Sequence, residues 1–164
     1  MGPLMSLSLR APTKHPYFKS RLLSNLLKIL RGLINPEMWS YGMRVLFVCV
    51  GNTCRSQMAE GWARHLGIDA ASAGTSMWPG STVAGNAVAV MAEKGIDISE
   101  QTPSLIDDFD HTTYDKVFSM GCGVQCPNIP FNADWQLDDP VGKSIDVYRK
   151  TRDAIEVQVR ALIE

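Results

Sequence analysis

The sequence of 164 residues has no long apolar run and almost no excess of either charge. No stretch approaches the roughly 18 consecutive apolar residues that a transmembrane helix needs, so we expect no membrane span. A formal net charge of −1 gives no global reason to expect nucleic acid as a partner, because binding a phosphate backbone needs a concentrated basic face. Any anion that the protein binds is therefore expected to be small.

Histidine is scarce, with three residues in the chain. His65 and His111 do not stand at metal-ligand spacing from each other or from any cysteine, and a closed zinc site needs four ligands, so no metal site is predicted. No cleavable secretory signal is recognisable before the first cysteine, which favours a reducing, cytoplasmic compartment over a disulfide-rich secreted protein. The four cysteines form two close pairs: Cys49 with Cys54, and Cys122 with Cys126.

Acidic residues are absent from the N-terminal segment until Glu37, although that segment contains several Lys and Arg. Between residues 18 and 34, leucine and isoleucine fall on one side of a helical wheel, which predicts a basic amphipathic helix. Such a helix could contact a membrane surface, dock on a partner or belong to an organelle transit peptide; alternatively, it is an extension upstream of a start at Met43. We therefore divide the chain into an extension, 1–42, and a globular domain, 43–164.

From Met43 onward, strand and helix patterns alternate. Strands are predicted at 45–48, 71–73 and 116–120, and the first is continuously apolar, as in a strand buried on both faces. Helices are predicted from about Met58 to a stop at Gly67, from Ala84 to a stop at Gly95, from a cap at Thr102 and from a cap at Ser144. This order indicates a three-layer α/β fold with a parallel sheet of about four strands.

The segment 49–56 joins the first strand to the first helix, where α/β folds bind ligands. A thiol at a helix N-terminus beside an arginine ionises readily, so Cys49 is predicted to be a nucleophile. Arg55 can hold two oxygens of a tetrahedral anion, and Ser56 can donate a hydrogen bond to the Cys49 sulfur. The predicted oxyanion-binding residues are Val50, Gly51, Asn52, Thr53, Cys54, Arg55 and Ser56.

Displacing an oxygen from a tetrahedral anion requires a proton donor, which a carboxylic acid on a loop over the anion can supply. Asp138 and Asp139 are both candidates on the pattern of residues alone. Pro140 restricts the backbone of Asp139 and so rigidifies its approach.

Five stretches carry a resemblance to a known family: 45–49, 54–61, 72–74, 95–99 and 134–140. They resemble the low-molecular-weight protein tyrosine phosphatase superfamily, and within it the arsenate reductases of that fold. The resemblance implies a sheet order of 2-1-3-4 and assigns the acid to Asp139, the residue directly before proline. It also implies a potassium site near the loop at Asn52, Glu60 and Ser72, with Ser104 in place of a further acidic ligand.

Three functions follow from this pattern. In the preferred one, Cys49 attacks arsenate, Asp139 protonates the departing oxygen, and a second thiol releases arsenite, so that thioredoxin, glutaredoxin with glutathione, or another thiol must supply electrons. In the second, the same first step on a phosphate monoester is followed by attack of water. The third is a non-catalytic oxyanion-binding protein, which would not need the nucleophile or the acid.

Cys122 and Cys126 distinguish the two enzyme hypotheses. They follow the strand that ends near Met120, so they are expected at the same carboxyl edge of the sheet as Cys49. We predict that Cys122 attacks Cys49 and that Cys126 then completes a disulfide with Cys122 for an external reductant. The alternatives are two incidental buried thiols or half of a zinc site.

Overall fold

A computed structural model describes residues 42–123 and 126–164. The amphipathic helix predicted between residues 18 and 34 lies outside these ranges. The regular elements, numbered in chain order, are β1 (Arg44–Cys49), α1 (Arg55–His65), β2 (Asp69–Gly74), α2 (Gly85–Ala92), β3 (Lys116–Ser119), β4 (Ala133–Asp134) and α3 (Ile145–Arg160), with short 3₁₀ helices at Ile106–Asp108 and His111–Thr113.

The four strands form one parallel sheet in the order β2-β1-β3-β4. β1 lies in the middle, and its residues Val45, Leu46, Phe47 and Val48 are 0% exposed, because neighbouring strands and both faces of the sheet cover them. The α/β class and the strand order predicted from the sequence are both confirmed. Parallel strands bring their carboxyl ends to one edge, so the segments after β1 and β3 emerge side by side.

The two faces of the sheet are covered differently. Val45 and Phe47 face a large core that contains the buried side chains of all three α-helices, including Met58 of α1, Met91 of α2 and Ile155 of α3. On the opposite face, Leu46 and Val48 pack with Ile106 of the first 3₁₀ helix and Val117 of β3, and side chains from the neighbouring loops complete this smaller cluster. The third layer thus consists of short turns and loops rather than long helices.

The helix predicted to begin at Thr102 is wrong. Residues 101–104 have no regular structure, and the next element is the short 3₁₀ helix at Ile106–Asp108. The carbonyl of Ser104 accepts a hydrogen bond from the N–H of Gly74, and Leu105 forms a parallel bridge with Gly74. These bonds to the end of β2 hold the segment extended and override the helix-start signal of Thr102 and Pro103.

α3 follows Ser144, as predicted, although the Ser144 side chain makes no capping hydrogen bond. Its buried face includes Tyr148, Ile155 and Val159. In the part of the chain that the structure describes, no helix has the length and apolar character required to cross a membrane.

A charged cluster joins α2 to α3. The Glu93 carboxylate accepts hydrogen bonds from Arg149 and from the largely buried Arg152, with shortest distances of 2.7 Å to each. Arg152 also donates to the carbonyl of Val90 at 2.9 Å. The hydrogen bonds from Arg149 and Arg152 lower the pKa of Glu93 to about 2 from its ordinary value of 4.5. The ionised carboxylate therefore ties the two helices together.

We predict that Glu93→Gln lowers the urea midpoint of unfolding at neutral pH. Because the folded-state pKa is depressed, the contribution of Glu93 is fully present above pH 4.5 and is lost as the pH falls toward 2. The difference between variant and wild-type midpoints should therefore shrink over that window. Glu100→Gln, on an exposed loop, serves as the control and should leave the midpoint unchanged. A constant difference at every pH would contradict this account.

Candidate active site

The segment 49–56 forms the connection between β1 and α1 at the carboxyl edge of the sheet. The first helical hydrogen bond runs from the N–H of Met58 to the carbonyl of Cys54, so the preceding amides of α1 have no partner within the helix. Gly74, at the end of β2, lies against this loop: a Cβ there would stand 2.8 Å from the carbonyl oxygen of Val50. The loop therefore has the helix-start geometry that binds anions.

Cys49 ends β1 and is 3% exposed. Its sulfur lies 2.9 Å from Ser56 Oγ and accepts a hydrogen bond from the N–H of Asn52 at 3.2 Å. Both contacts are of the kind that stabilises a thiolate. The structure thus brings the predicted nucleophile next to the predicted hydroxyl donor, although their catalytic roles remain predictions.

The fully buried Asn52 is the centre of the loop, with a left-handed backbone at φ +49° that asparagine tolerates better than most residues. Its Oδ1 accepts from the N–H of Ser104 at 2.8 Å, which fixes the orientation of the amide. Its Nδ2 then donates to Ser56 Oγ and to Ser72 Oγ, each at 2.8 Å. Because Ser56 accepts from Asn52, its own hydroxyl hydrogen is left to point at the Cys49 sulfur.

Behind Asn52, the Ser72 hydroxyl donates to Glu60, and Glu60 also pairs with Arg64 at 2.6 Å. Burial raises the pKa of Glu60, while the hydrogen bond from Ser72 and the charge of Arg64 oppose that rise. Asn52 presents its donor nitrogen to Ser72, and Arg64 already supplies a positive charge to Glu60. This arrangement does not fit a potassium ion at the three residues that the family resemblance suggested.

Arg55 is nearly buried and reaches across the mouth of the loop. Its Nη2 donates to the Asp139 carboxylate at 2.9 Å, and its Nη1 donates to the carbonyl of Leu137 at 3.0 Å. The structure therefore brings the predicted anion-binding arginine together with the predicted acid. Asp139 has a half-exposed side chain, and its other oxygen accepts from the N–H of Val141. Asp138 is exposed and forms no ion pair with any described residue.

The other cysteine of the loop, Cys54, has a different environment. Its sulfur is buried and lies 3.5 Å from the hydroxyl of Tyr148. Burial raises the pKa of the Cys54 thiol, and the hydrogen bonds from Tyr148 and Thr53 only partly oppose that effect. Cys54 therefore stays protonated at neutral pH and is a poor nucleophile.

Cys122 and Cys126 are joined by a disulfide, with their Cα atoms 5.1 Å apart. They follow β3, which is hydrogen-bonded to β1, so the pair and Cys49 leave the same edge of adjacent strands. Their part in catalysis remains a prediction. Ser119, the last residue of β3, contacts both sulfurs and was missed by the sequence reasoning. A polar residue that follows the apolar Val117 and Phe118 and stands three positions before Cys122 was the available signal.

Two curated relatives resemble the domain over most of their length. A protein of Synechocystis sp. named glutaredoxin arsenate reductase is 43% identical over 125 residues, which cover 73% of this chain and 95% of the relative. An arsenate reductase of Staphylococcus aureus is 36% identical over 120 residues, which cover 70% of this chain and 92% of that protein.

Solved structures of an arsenate reductase and of a phosphatase are also similar to this chain. A structure described as an arsenate reductase in the phosphate binding state is 45% identical with a TM-score of 0.67, and the match covers 74% of this chain and 96% of the other. A low molecular weight protein tyrosine phosphatase from T. tengcongensis is 33% identical with a TM-score of 0.64, covering 74% and 97%. The model of the low molecular weight phosphotyrosine protein phosphatases matches residues 44–164, and this chain belongs to that family.

Proposed function

We propose that the protein reduces arsenate to arsenite through a covalent intermediate on Cys49. The observation that carries the proposal is the placement of a cysteine pair, Cys122 and Cys126, directly after the strand beside β1. An enzyme that only hydrolyses phosphate esters does not need this pair. The similarity to two proteins named arsenate reductase, over nearly the whole domain, supports the same reaction.

In the first step, arsenate occupies the loop, with its oxygens held by backbone N–H groups and by the Arg55 guanidinium. The Cys49 thiolate, which accepts hydrogen bonds from Ser56 and Asn52, attacks arsenic and forms an S–As bond. One As–O bond breaks, and Asp139 protonates the departing oxygen, which leaves as water. The contact with Arg55 holds the Asp139 carboxyl group beside the guanidinium that would bind the anion.

In the second step, the Cys122 thiolate attacks the sulfur of Cys49. An S–S bond forms, and the electron pair of the S–As bond passes to arsenic, which leaves as arsenite. Cys126 then attacks Cys122, forms the Cys122–Cys126 disulfide and releases Cys49 as a thiolate. The disulfide present in the structure corresponds to the product of this sequence.

An external thiol must return two electrons to the disulfide after each turnover. The name of the Synechocystis relative favours glutaredoxin, with glutathione, over thioredoxin as this partner. A reducing compartment such as the cytoplasm suits a reaction that regenerates thiols. The N-terminal segment, 1–42, has no part in these steps and would serve location or association.

The alternative function is phosphomonoester hydrolysis, in which water attacks the intermediate on Cys49. The loop and the Arg55–Asp139 contact serve both reactions equally, and solved relatives include phosphatases of the same fold. The two functions differ only after the first step. The cysteine pair favours reduction, so we keep hydrolysis as a side activity of the same loop.

Asp139→Asn should reduce the rate of the first chemical step roughly a hundredfold to ten-thousandfold, because the departing oxygen loses its proton donor. The matched control is Asp138→Asn, which removes the neighbouring exposed carboxylate and should have a far smaller effect. Single-turnover measurements with arsenate and with an aryl phosphate would quantify both variants. If Asp138→Asn is the more impaired variant, the acid is Asp138.

Cys122→Ser should stop multiple-turnover arsenate reduction while leaving aryl phosphate hydrolysis unchanged, because only reduction needs a second thiol. Arsenite yield per enzyme, measured with glutathione and glutaredoxin and separately with thioredoxin, would test the effect. Cys49→Ser is the control that loses both activities, since a serine hydroxyl stays protonated in this loop.

Full arsenite turnover by the Cys122→Ser, Cys126→Ser double variant with glutathione and glutaredoxin would eliminate the internal relay. That result would point to direct attack of the external thiol on the Cys49 intermediate. Retention of aryl phosphate hydrolysis by the wild type, without any arsenite formation under either thiol system, would instead support the phosphatase alternative.

A further inference from the structure

Ser119 lies at the carboxyl end of β3, where it is 1% exposed and next to the redox cysteines. Its Oγ is 3.1 Å from the Cys122 sulfur and 3.5 Å from the Cys126 sulfur. The same Oγ accepts hydrogen bonds from the N–H groups of Gly121 at 3.2 Å and Cys122 at 3.4 Å. The hydroxyl therefore sits in the turn that carries Cys122.

These contacts fix the direction of the Ser119 hydroxyl. A serine hydroxyl has one hydrogen and two lone pairs, and the two backbone N–H groups use the lone pairs. Neither sulfur of a disulfide carries a hydrogen, so the Ser119 hydrogen is donated toward sulfur. The shorter distance makes Cys122 the main acceptor. In the reduced pair the same hydrogen would point at a Cys122 thiolate.

We propose that Ser119 is a positioning residue whose hydrogen bond stabilises the Cys122 thiolate. Cys122 is therefore the leaving group when the disulfide is reduced, and it is the nucleophile once the pair carries two thiols. Cys122 is buried, whereas Cys126 is partly exposed, so an external thiol reaches Cys126 more easily. The exposure of Cys126 and the Ser119 hydrogen bond to Cys122 thus both favour attack at Cys126 with Cys122 as the leaving group. The biological role of this hydrogen bond rests on the proposed function, but the thiol chemistry itself needs no arsenate.

An external dithiol would reduce the cysteine pair in two steps. Its thiolate attacks the Cys126 sulfur and forms a mixed disulfide, the Cys122–Cys126 bond breaks, and Cys122 leaves with the electron pair as a thiolate that accepts the Ser119 hydrogen bond. The second thiol of the reductant then attacks the reductant sulfur that is bonded to Cys126. The reductant closes its own disulfide, and Cys126 leaves as a thiolate. Two electrons pass from the dithiol to the cysteine pair, and the reductant leaves as a disulfide.

Other charged groups face this turn and must stay constant in a test. Arg55 of α1 donates to the carbonyls of Met120 and Gly121, each at 3.2 Å. On β4, Asp134 stands in register with Ser119, and its carboxylate accepts from the N–H of Gln136. Asp139 is held by Arg55 on the next loop. A substitution of Ser119 alone leaves all three in place.

The test uses the full chain with Cys122 as its single cysteine, after replacement of Cys49, Cys54 and Cys126 by serine. Alkylation of Cys122 by iodoacetamide is followed over a range of pH with Ser119 present and with Ser119→Ala. We expect Ser119→Ala to slow alkylation at neutral pH by about tenfold, the effect of losing one hydrogen bond to a charged group. At alkaline pH, where the thiol is ionised in both proteins, the rates should converge.

The shape of the pH profile separates this role from a structural one. If Ser119 only braced the turn, Ser119→Ala would change the alkylation rate by the same factor at every pH, and that result would overturn the proposal. Identical profiles would also overturn it. Ser119→Thr, which keeps the hydroxyl, should restore the profile. Ser81→Ala, which removes a serine hydroxyl from an exposed loop, should have no effect.

A second measurement avoids any substitution at Ser119. The oxidised protein with all four cysteines is treated with glutathione, and the mixed disulfide is trapped and located by peptide mapping. We expect glutathione on Cys126, because Cys122 is the leaving sulfur. Glutathione mainly on Cys122 would overturn the proposal. Neither measurement involves arsenate, so the inference can fail while the proposed function stands, and the reverse.

Discussion

The side-chain amide of Asn52 connects the active-site loop to α1, to β2 and to the extended segment that contains Ser104. One end accepts from the N–H of Ser104, and the other donates to Ser56 on α1 and to Ser72 on β2. This bonding is possible because the Asn52 backbone adopts a left-handed conformation that turns the amide into the protein. It leaves the Ser56 hydroxyl free to donate to Cys49. The nucleophile therefore depends on a polar network that is buried and fully paired, so loss of any member would leave a neighbour unsatisfied.

Arg55 provides the second constraint, because it connects the loop to the rest of the site. One guanidinium contacts the segment after β3 through the carbonyl of Gly121, and the acid-bearing loop through Leu137 and Asp139. The loop of the predicted nucleophile, the predicted acid and the segment that leads to the cysteine pair thus meet at one buried cation. The chemistry that we propose uses them in order: Cys49 bonds to arsenic, Asp139 protonates the oxygen that leaves as water, and the cysteine pair supplies the two electrons that reduce arsenic and becomes a disulfide. In the proposed reaction, the active-site loop and Asp139 of the family fold serve the first step, and the cysteine pair on the loop after β3 serves the second.

Local patterns in the sequence were enough to predict most of this arrangement. The apolar run of β1 and the helix that follows are present as expected, because buried strands and amphipathic helices carry periodic signals. The sheet order, by contrast, was implied by the family resemblance and not by local patterns. The helix predicted at Thr102 failed because hydrogen bonds from the end of β2 hold that segment extended, and such tertiary bonds leave no trace in local propensity. Two other contacts did have a local signal that the sequence reasoning missed, because Glu60 and Arg64 stand at helical i, i+4 spacing and Ser119 lies three positions before Cys122. Residues that a strand crossover brings together are far apart in the sequence, so their spacing along the chain does not indicate the contact.

The most direct test of the account is a single turnover of the fully reduced protein with arsenate and no external thiol. We predict about one arsenite released per protein molecule, accompanied by loss of two thiols, which peptide mapping would locate as a Cys122–Cys126 disulfide. Release of arsenite with that disulfide would establish the cysteine pair as the source of electrons, and loss of both products in Cys49→Ser would assign the intermediate to Cys49. The absence of arsenite, with all four cysteines still reduced in a protein that hydrolyses an aryl phosphate, would contradict the account.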